Sequence, residues 1–103
     1  MDAAELLTVL KSTGLPVAYR RFKQVKTPPY ILFYLEGTDN FVADNVVYET
    51  CESYLIELYS KDRDLVSEGK LEDALDAAEI VWDKDETFIE SENLVMMVYS
   101  IQI

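Results

Sequence analysis

Six consecutive apolar residues, Tyr30-Ile31-Leu32-Phe33-Tyr34-Leu35, stand between Pro28-Pro29 and Gly37. Neighbouring side chains of a strand point to opposite faces, so a run that is apolar at every position needs cover on both sides. Proline can open a strand but removes a ladder donor from its middle, which puts the start of this one at Pro29. A chain built around such a strand must bring its own elements to both faces or leave one face for a partner.

The remaining strands are read around it. Residues 17–22 form one, with Val17, Tyr19 and Arg21 on one side and Ala18, Arg20 and Phe22 on the other. Residues 46–59 form a long one. Tyr48, Thr50, Glu52, Tyr54, Ile56 and Leu58 share one face, and Cys51, Ser53, Leu55, Glu57 and Tyr59 share the other. Its length exceeds the usual range of about 3–10 residues, which predicts a bend, a bulge or an end protruding from the sheet. Ile80-Val81-Trp82 starts a strand, Asp83-Lys84-Asp85-Glu86 interrupts it as a solvated turn, and Thr87-Phe88-Ile89 is a second short extended piece. Residues 94–103 form the last strand, with Val95, Met97, Tyr99, Ile101 and Ile103 facing one way. Gly37-Thr38-Asp39-Asn40 and Asp44-Asn45 are turn chemistry, leaving Phe41-Val42-Ala43 as an extended connection.

Two segments have helical spacing instead. Ala3, Leu6, Leu7 and Leu10 recur at i, i+3, i+4 and i+7, and Gly14 suits the left-handed position that ends such a helix. Leu71, Ala74, Leu75 and Ala78 repeat the pattern, capped by Asp62 or Asp64. Gly69 is expected to divide this segment, so the second helix is regular only from Lys70, with Glu72, Asp73, Asp76 and Glu79 on its wet face. The order helix, three strands, helix, two to three strands gives an α+β fold. It implies a mixed, mostly antiparallel sheet of about five strands with two helices packed on one face, in a single domain over residues 1–103.

Composition narrows the chemistry. Half the residues are hydrophobic and 28% are charged, a globular balance and not a disordered one. The absence of histidine removes Ser-His-Asp and Cys-His triads and His-bearing metal sites. Cys51 alone can form neither an internal disulfide nor a multi-thiolate site, and mid-strand it reads as buried and inert. Asp83, Asp85 and Glu86 start like a calcium loop, but Phe88 and Leu94 occupy the positions where that loop needs Gly and Glu. Gly14, Gly37 and Gly69 are too far apart for a phosphate loop. No catalytic, metal or cofactor-binding residue is marked, so the chain is expected to be no enzyme and to need no cofactor. The N-terminal MDAAELLTVL lacks a positive lead before its apolar stretch and does not read as a signal peptide.

Charge is unevenly spread. Nine basic and twenty acidic residues give a net charge of −11. Residues 1–35 hold five basic and two acidic residues, and residues 36–103 hold four basic and eighteen acidic ones. Most of the surface therefore repels phosphate, which argues against groove binding to nucleic acid and against membrane-surface binding. The split suits contact between the basic stretch of one copy and the acidic stretch of another. Apolar residues on both faces of 30–35 and 94–98 exceed what two short helices can cover, which points to self-association.

The runs LPVAYRRF, PPYILFYLEGTDNF and SYLIELYSKDRD, the acidic helix and the ending FIESENLVMMVYSIQI resemble small proteins of long-tailed bacteriophages and prophages. These are the tail terminator, tail completion or head–tail joining proteins. The resemblance covers essentially the whole chain and rests on overall pattern and on segments such as GTDNF and IELYSKDRD. It implies a structural virion-assembly protein that forms a ring, usually a hexamer, at the head-proximal end of the tail. There it ends tube growth and joins tail to head. The implied partners are other copies of itself, the major tail-tube protein and a head-completion or connector protein, with phage DNA passing through unread. The implied location is the host bacterial cytoplasm during assembly and then the virion. Candidate interface residues are Arg20, Arg21 and Lys23 in the basic stretch, and Thr38, Asp39, Asn40, Phe41 and Val42 in a protruding loop, with Phe41 as apolar anchor. The alternatives are an acidic DNA mimic of a phage, acting as an inhibitor, or another minor connector component.

Overall fold

The computed structural model describes residues 1–43 and 46–103, and the side chains outside residues 39–50. Helix α1 spans Ala3–Lys11, followed by strands β1 (Val17–Tyr19), β2 (Tyr30–Ala43) and β3 (Val46–Ser60). Helix α2 (Leu65–Ala77) leads to β4 (Trp82–Ile89) and β5 (Leu94–Gln102). The five strands form one mixed sheet in the order β1-β2-β3-β5-β4. Only β1 and β2 run parallel, and every other neighbouring pair is antiparallel. This is the α+β layout expected from the sequence, with both helices on one sheet face.

Each helix starts on an aspartate. Asp2 accepts a hydrogen bond from the Glu5 amide at 2.8 Å, and Asp64 accepts from the Ser67 amide at 3.0 Å and the Ser67 hydroxyl at 2.7 Å. Such caps satisfy amides that have no partner within the helix. Gly14 ends the turn after α1 at φ +82°, a conformation that penalises any side chain. Gly69 does not divide α2, because the helix runs through it without a break.

The core lies between the helices and one sheet face. Leu6 and Leu10 of α1 and Leu71 and Leu75 of α2 are fully buried against Ile31, Phe33, Ile56, Leu58, Met97, Tyr99 and Ile101. These sheet residues follow from register: Ile31 opposes Leu58, Phe33 opposes Ile56, and Ile56 opposes Tyr99. Truncating a side chain such as Phe33 to alanine would cost about 3–5 kcal/mol through lost burial and the cavity left behind.

Three more local readings of the sequence are corrected. β1 ends at Tyr19 and not at Phe22, because Arg20 takes φ +68° and turns the chain out of the strand. The ten residues from Arg20 to Pro29 then return the chain to start β2 parallel to β1. Asp83–Glu86 is no turn: β4 is one continuous strand paired with β5 from Trp82↔Ile101 to Ile89↔Leu94. Its charges are tolerated because β4 is an edge strand, where they also discourage stray pairing. Gly37–Asn40 is no turn either. It pairs with residues 50–53 of β3, one residue past a register shift at Glu36. The Asp44-Asn45 turn signal lies outside the described residues.

The long third strand protrudes as its length suggests. β1 accompanies β2 only to the Tyr19↔Phe33 pair, and β5 accompanies β3 only to Gln102↔Ser53, with Ile103 exchanging backbone hydrogen bonds with Glu52. Beyond that point β2 and β3 continue alone as a two-stranded ribbon. The six residues 46–51 of β3, at about 3.3 Å each, carry it roughly 20 Å past the sheet. The chain accordingly measures 50 × 28 × 25 Å.

Candidate assembly surface

Among the described residues, no element packs over the sheet face turned away from the helices. Its side chains follow from the same register: Tyr30 opposes Tyr59, Leu32 opposes Glu57, Tyr34 opposes Leu55, Glu57 opposes Val98, and Tyr59 opposes Met96. All are partly buried, shielded by one another and not by a second layer. Tyr30 and Tyr59 stack with ring centroids 5.0 Å apart, and Phe22 meets Tyr30 edge-on at 5.5 Å. Aromatic and aliphatic side chains thus form a continuous bare surface.

Glu57 sits in its centre, on the middle strand. Its carboxylate accepts from the Tyr34 hydroxyl at 3.0 Å and the Tyr59 hydroxyl at 2.8 Å. Burial, then the hydrogen bond to Glu57, pushes the Tyr59 phenol well above its ordinary value of 10.0, and Tyr34 shifts the same way for the same two reasons. Among the described residues no cation forms an ion pair with Glu57. A central carboxylate held by two phenols can receive a guanidinium or an ammonium from outside.

The candidate interface residues divide into two groups. Arg20 lies on the bare side, its guanidinium 4.9 Å from the centroid of the Tyr34 ring. Arg21 and Lys23 follow it, both exposed. Thr38 is exposed at the base of the ribbon, opposite Glu52. Asp39, Asn40, Phe41 and Val42 pair through their backbone with Cys51, Thr50, Glu49 and Val47 as part of β2, not as a loop. Their side chains, including Phe41 as apolar anchor, lie outside the described residues. The two groups are not brought together. Arg20 is level with Tyr34, but Phe22 packs on Tyr30, so the chain has already turned away from the ribbon before Lys23.

The sequence reading did not single out Glu57, Asp83 or Asp85 as site residues. Asp83 opposes Ser100 and Asp85 opposes Val98, so both lie on the bare side at the far edge of the sheet, exposed and without an ion pair among the described residues. Their period of two along β4 was the available signal, hidden by reading the segment as a turn.

A polar cluster occupies the opposite, helix-covered side. Glu68 of α2 is only 2% exposed and is gripped by Arg63 through two hydrogen bonds of 3.2 and 3.3 Å, and by Lys84 at 3.2 Å. Glu72 accepts from Lys84 at 2.7 Å and from the Tyr99 hydroxyl at 2.7 Å. Burial opposes the Glu72 charge, but the hydrogen bonds from Lys84 and Tyr99 outweigh it and hold its carboxyl below the ordinary value of 4.5. Glu72 therefore faces the sheet and is not on the wet face. The Trp82 indole donates to Asp76 at 2.9 Å and meets Tyr99 edge-on. With Glu68 and Glu72 each closed by a cation, this cluster clamps α2 to β4 and β5. Cys51 is half-buried in β3. No helix among the described residues is long and apolar enough to cross a membrane.

No protein-family model matches the chain, and no curated protein matches it in sequence.

Proposed function

We propose that this chain is a structural assembly protein that builds a ring from copies of itself. In that ring it acts as a tail terminator of a long-tailed phage, ending growth of the tail tube and joining tail to head. The observation that carries the reading is the bare sheet face. Tyr30, Leu32, Tyr34, Leu55, Tyr59, Met96 and Val98 lie side by side on it with no covering layer among the described residues. Apolar area of this kind marks interaction sites, and interfaces between identical copies resemble a core cut in two. The ribbon supports the same reading, since a two-stranded hairpin is marginally stable alone and gains a partner on assembly. The acidic surface keeps DNA from sticking as it passes, because phosphate affinity needs basic groups. The other partners are the major tail-tube protein and a head-completion or connector protein, at the head-proximal end of the virion tail.

Electron microscopy of the purified chain tests this. Rings with a central hole, which also stop polymerisation of a tail-tube protein, support it. Single particles of one chain that leave tube growth unchanged refute it. A second reading, an acidic mimic of DNA acting as an inhibitor, draws on the exposed carboxylates Asp83 and Asp85 at regular strand spacing. Salt-sensitive binding to a DNA-binding protein of the host would favour that reading instead.

A further inference from the structure

We infer that copies of this chain join head to tail, the basic segment 20–26 of one copy seating on the β5–β4 side of the bare face of the next. This rests on the self-assembly reading above, and adds to it the two surfaces and the symmetry that relates them.

The margins of the bare face carry opposite charge. β1 is one edge of the sheet, and the chain leaving it holds Arg20, Arg21, Lys23 and Lys26 with no acidic residue among them. Arg21 and Lys23 are exposed and make no ion pair among the described residues, and Val25 beside them is fully exposed. β4 is the other edge, and turns Asp83 and Asp85 to the bare side. Between them lies Glu57, on the middle strand, without an ion pair among the described residues. One copy thus offers cations and an apolar tip, and the next offers carboxylates around Met96 and Val98.

Symmetric pairings set like charge against like. A two-fold axis along the strands, between two bare faces, lays β3 over β3 and brings Glu57 against Glu57. An axis across the strands lays basic margin on basic margin and acidic on acidic. Edge-to-edge pairing of β4 with β4 opposes Asp83 and Asp85 to their own counterparts. Like charges across an interface are costly, and a buried carboxylate without a cation is more so. The contact between unlike surfaces relieves all three conflicts. It generates a ring when the rotation between neighbours closes, and a filament when it does not.

The test uses the full chain at low salt, where surface charge is least screened. Light-scattering mass is measured for the wild type, for R21E/K23E, for D83K/D85K and for an equimolar mixture of the two variants, with circular dichroism to check the fold. The expected result is an assembled wild type, with each variant folded but associating at least about tenfold more weakly, since its two docking surfaces now repel. The mixture regains the wild-type mass, because each variant supplies the surface the other lacks. Should a double variant unfold, Lys23→Glu and Asp85→Lys give the same comparison singly. Variants that keep the wild-type mass, or a mixture that stays dissociated, overturn the charged contact and leave self-assembly standing. A wild type of two copies is a symmetric pair and overturns the head-to-tail order. A wild type that stays a single chain overturns both readings.

Discussion

The Tyr99 hydroxyl, on the central part of β5, donates to the Glu72 carboxylate of α2 across 2.7 Å. Lys84 of β4 reaches the same oxygen and also Glu68. One ammonium therefore serves two carboxylates at the seam between helix and sheet. Lys84→Met is expected to destabilise the fold by about 3 kcal/mol, because it leaves Glu72 at the seam with the Tyr99 hydroxyl but no ion pair among the described residues, and Glu68 with Arg63 alone. A urea titration measures this, and an unchanged midpoint would mean that the cluster is ornamental.

Acid should loosen the same seam. The Glu72 carboxyl lies below its ordinary value of 4.5, and hydrogen bonds from the Ser67 amide and hydroxyl hold Asp64 below its own ordinary value of 3.8. Depressed carboxyls stabilise the fold in full above their unfolded values, and that contribution is lost as pH falls through the folded ones. Stability should therefore decline below about pH 4.5, and Glu72→Gln should be less stable near neutrality with a shallower acid slope. Thermal melts as a function of pH follow it.

Two glycines should respond in opposite directions to alanine. Gly69 lies within α2 with open space where a Cβ would go, so Gly69→Ala should stabilise by up to about 1 kcal/mol. Gly14 has equal space but φ +82°, so Gly14→Ala should destabilise by about 1 kcal/mol. Paired thermal melts of the two variants give the sign directly.

The ribbon should be dispensable for folding. No residue of 37–52 belongs to the described core cluster. Replacing 37–52 by Asn-Gly joins Glu36 to Ser53 through a turn whose twist suits a two-residue hairpin. The shortened chain should keep its cooperative melt within about 1 kcal/mol, since shortening a loop changes closure entropy only slowly. Loss of the melt would mean that the ribbon supports the sheet.

Much of this architecture was legible because period and chemistry agree. The stripes through Leu6 and Leu10 and through Leu71 and Leu75 became the buried faces of both helices, and Met97, Tyr99 and Ile101 became the core side of β5. The run 30–35 gave its strand and, through its second apolar face, the bare surface. What stayed hidden depends on partners distant in sequence. Glu72 reads as solvated until Lys84 arrives from β4 to neutralise it. Asp83–Glu86 reads as a turn until β5 supplies a ladder on one side and solvent takes the other. Gly37–Asn40 has turn chemistry, yet β3 is long enough to hold it in strand. Arg20 takes a left-handed conformation that no local residue announces.

The bare face gives the most direct test of the account. The light-scattering mass of the full chain at high concentration should be compared with that of Leu32→Glu/Val98→Glu, two substitutions outside the buried core. The wild type is expected at a defined multiple of 11.8 kDa and the variant at 11.8 kDa, with the same circular dichroism spectrum for both. A wild type that remains at 11.8 kDa, or a multiple that survives both added charges, would contradict it.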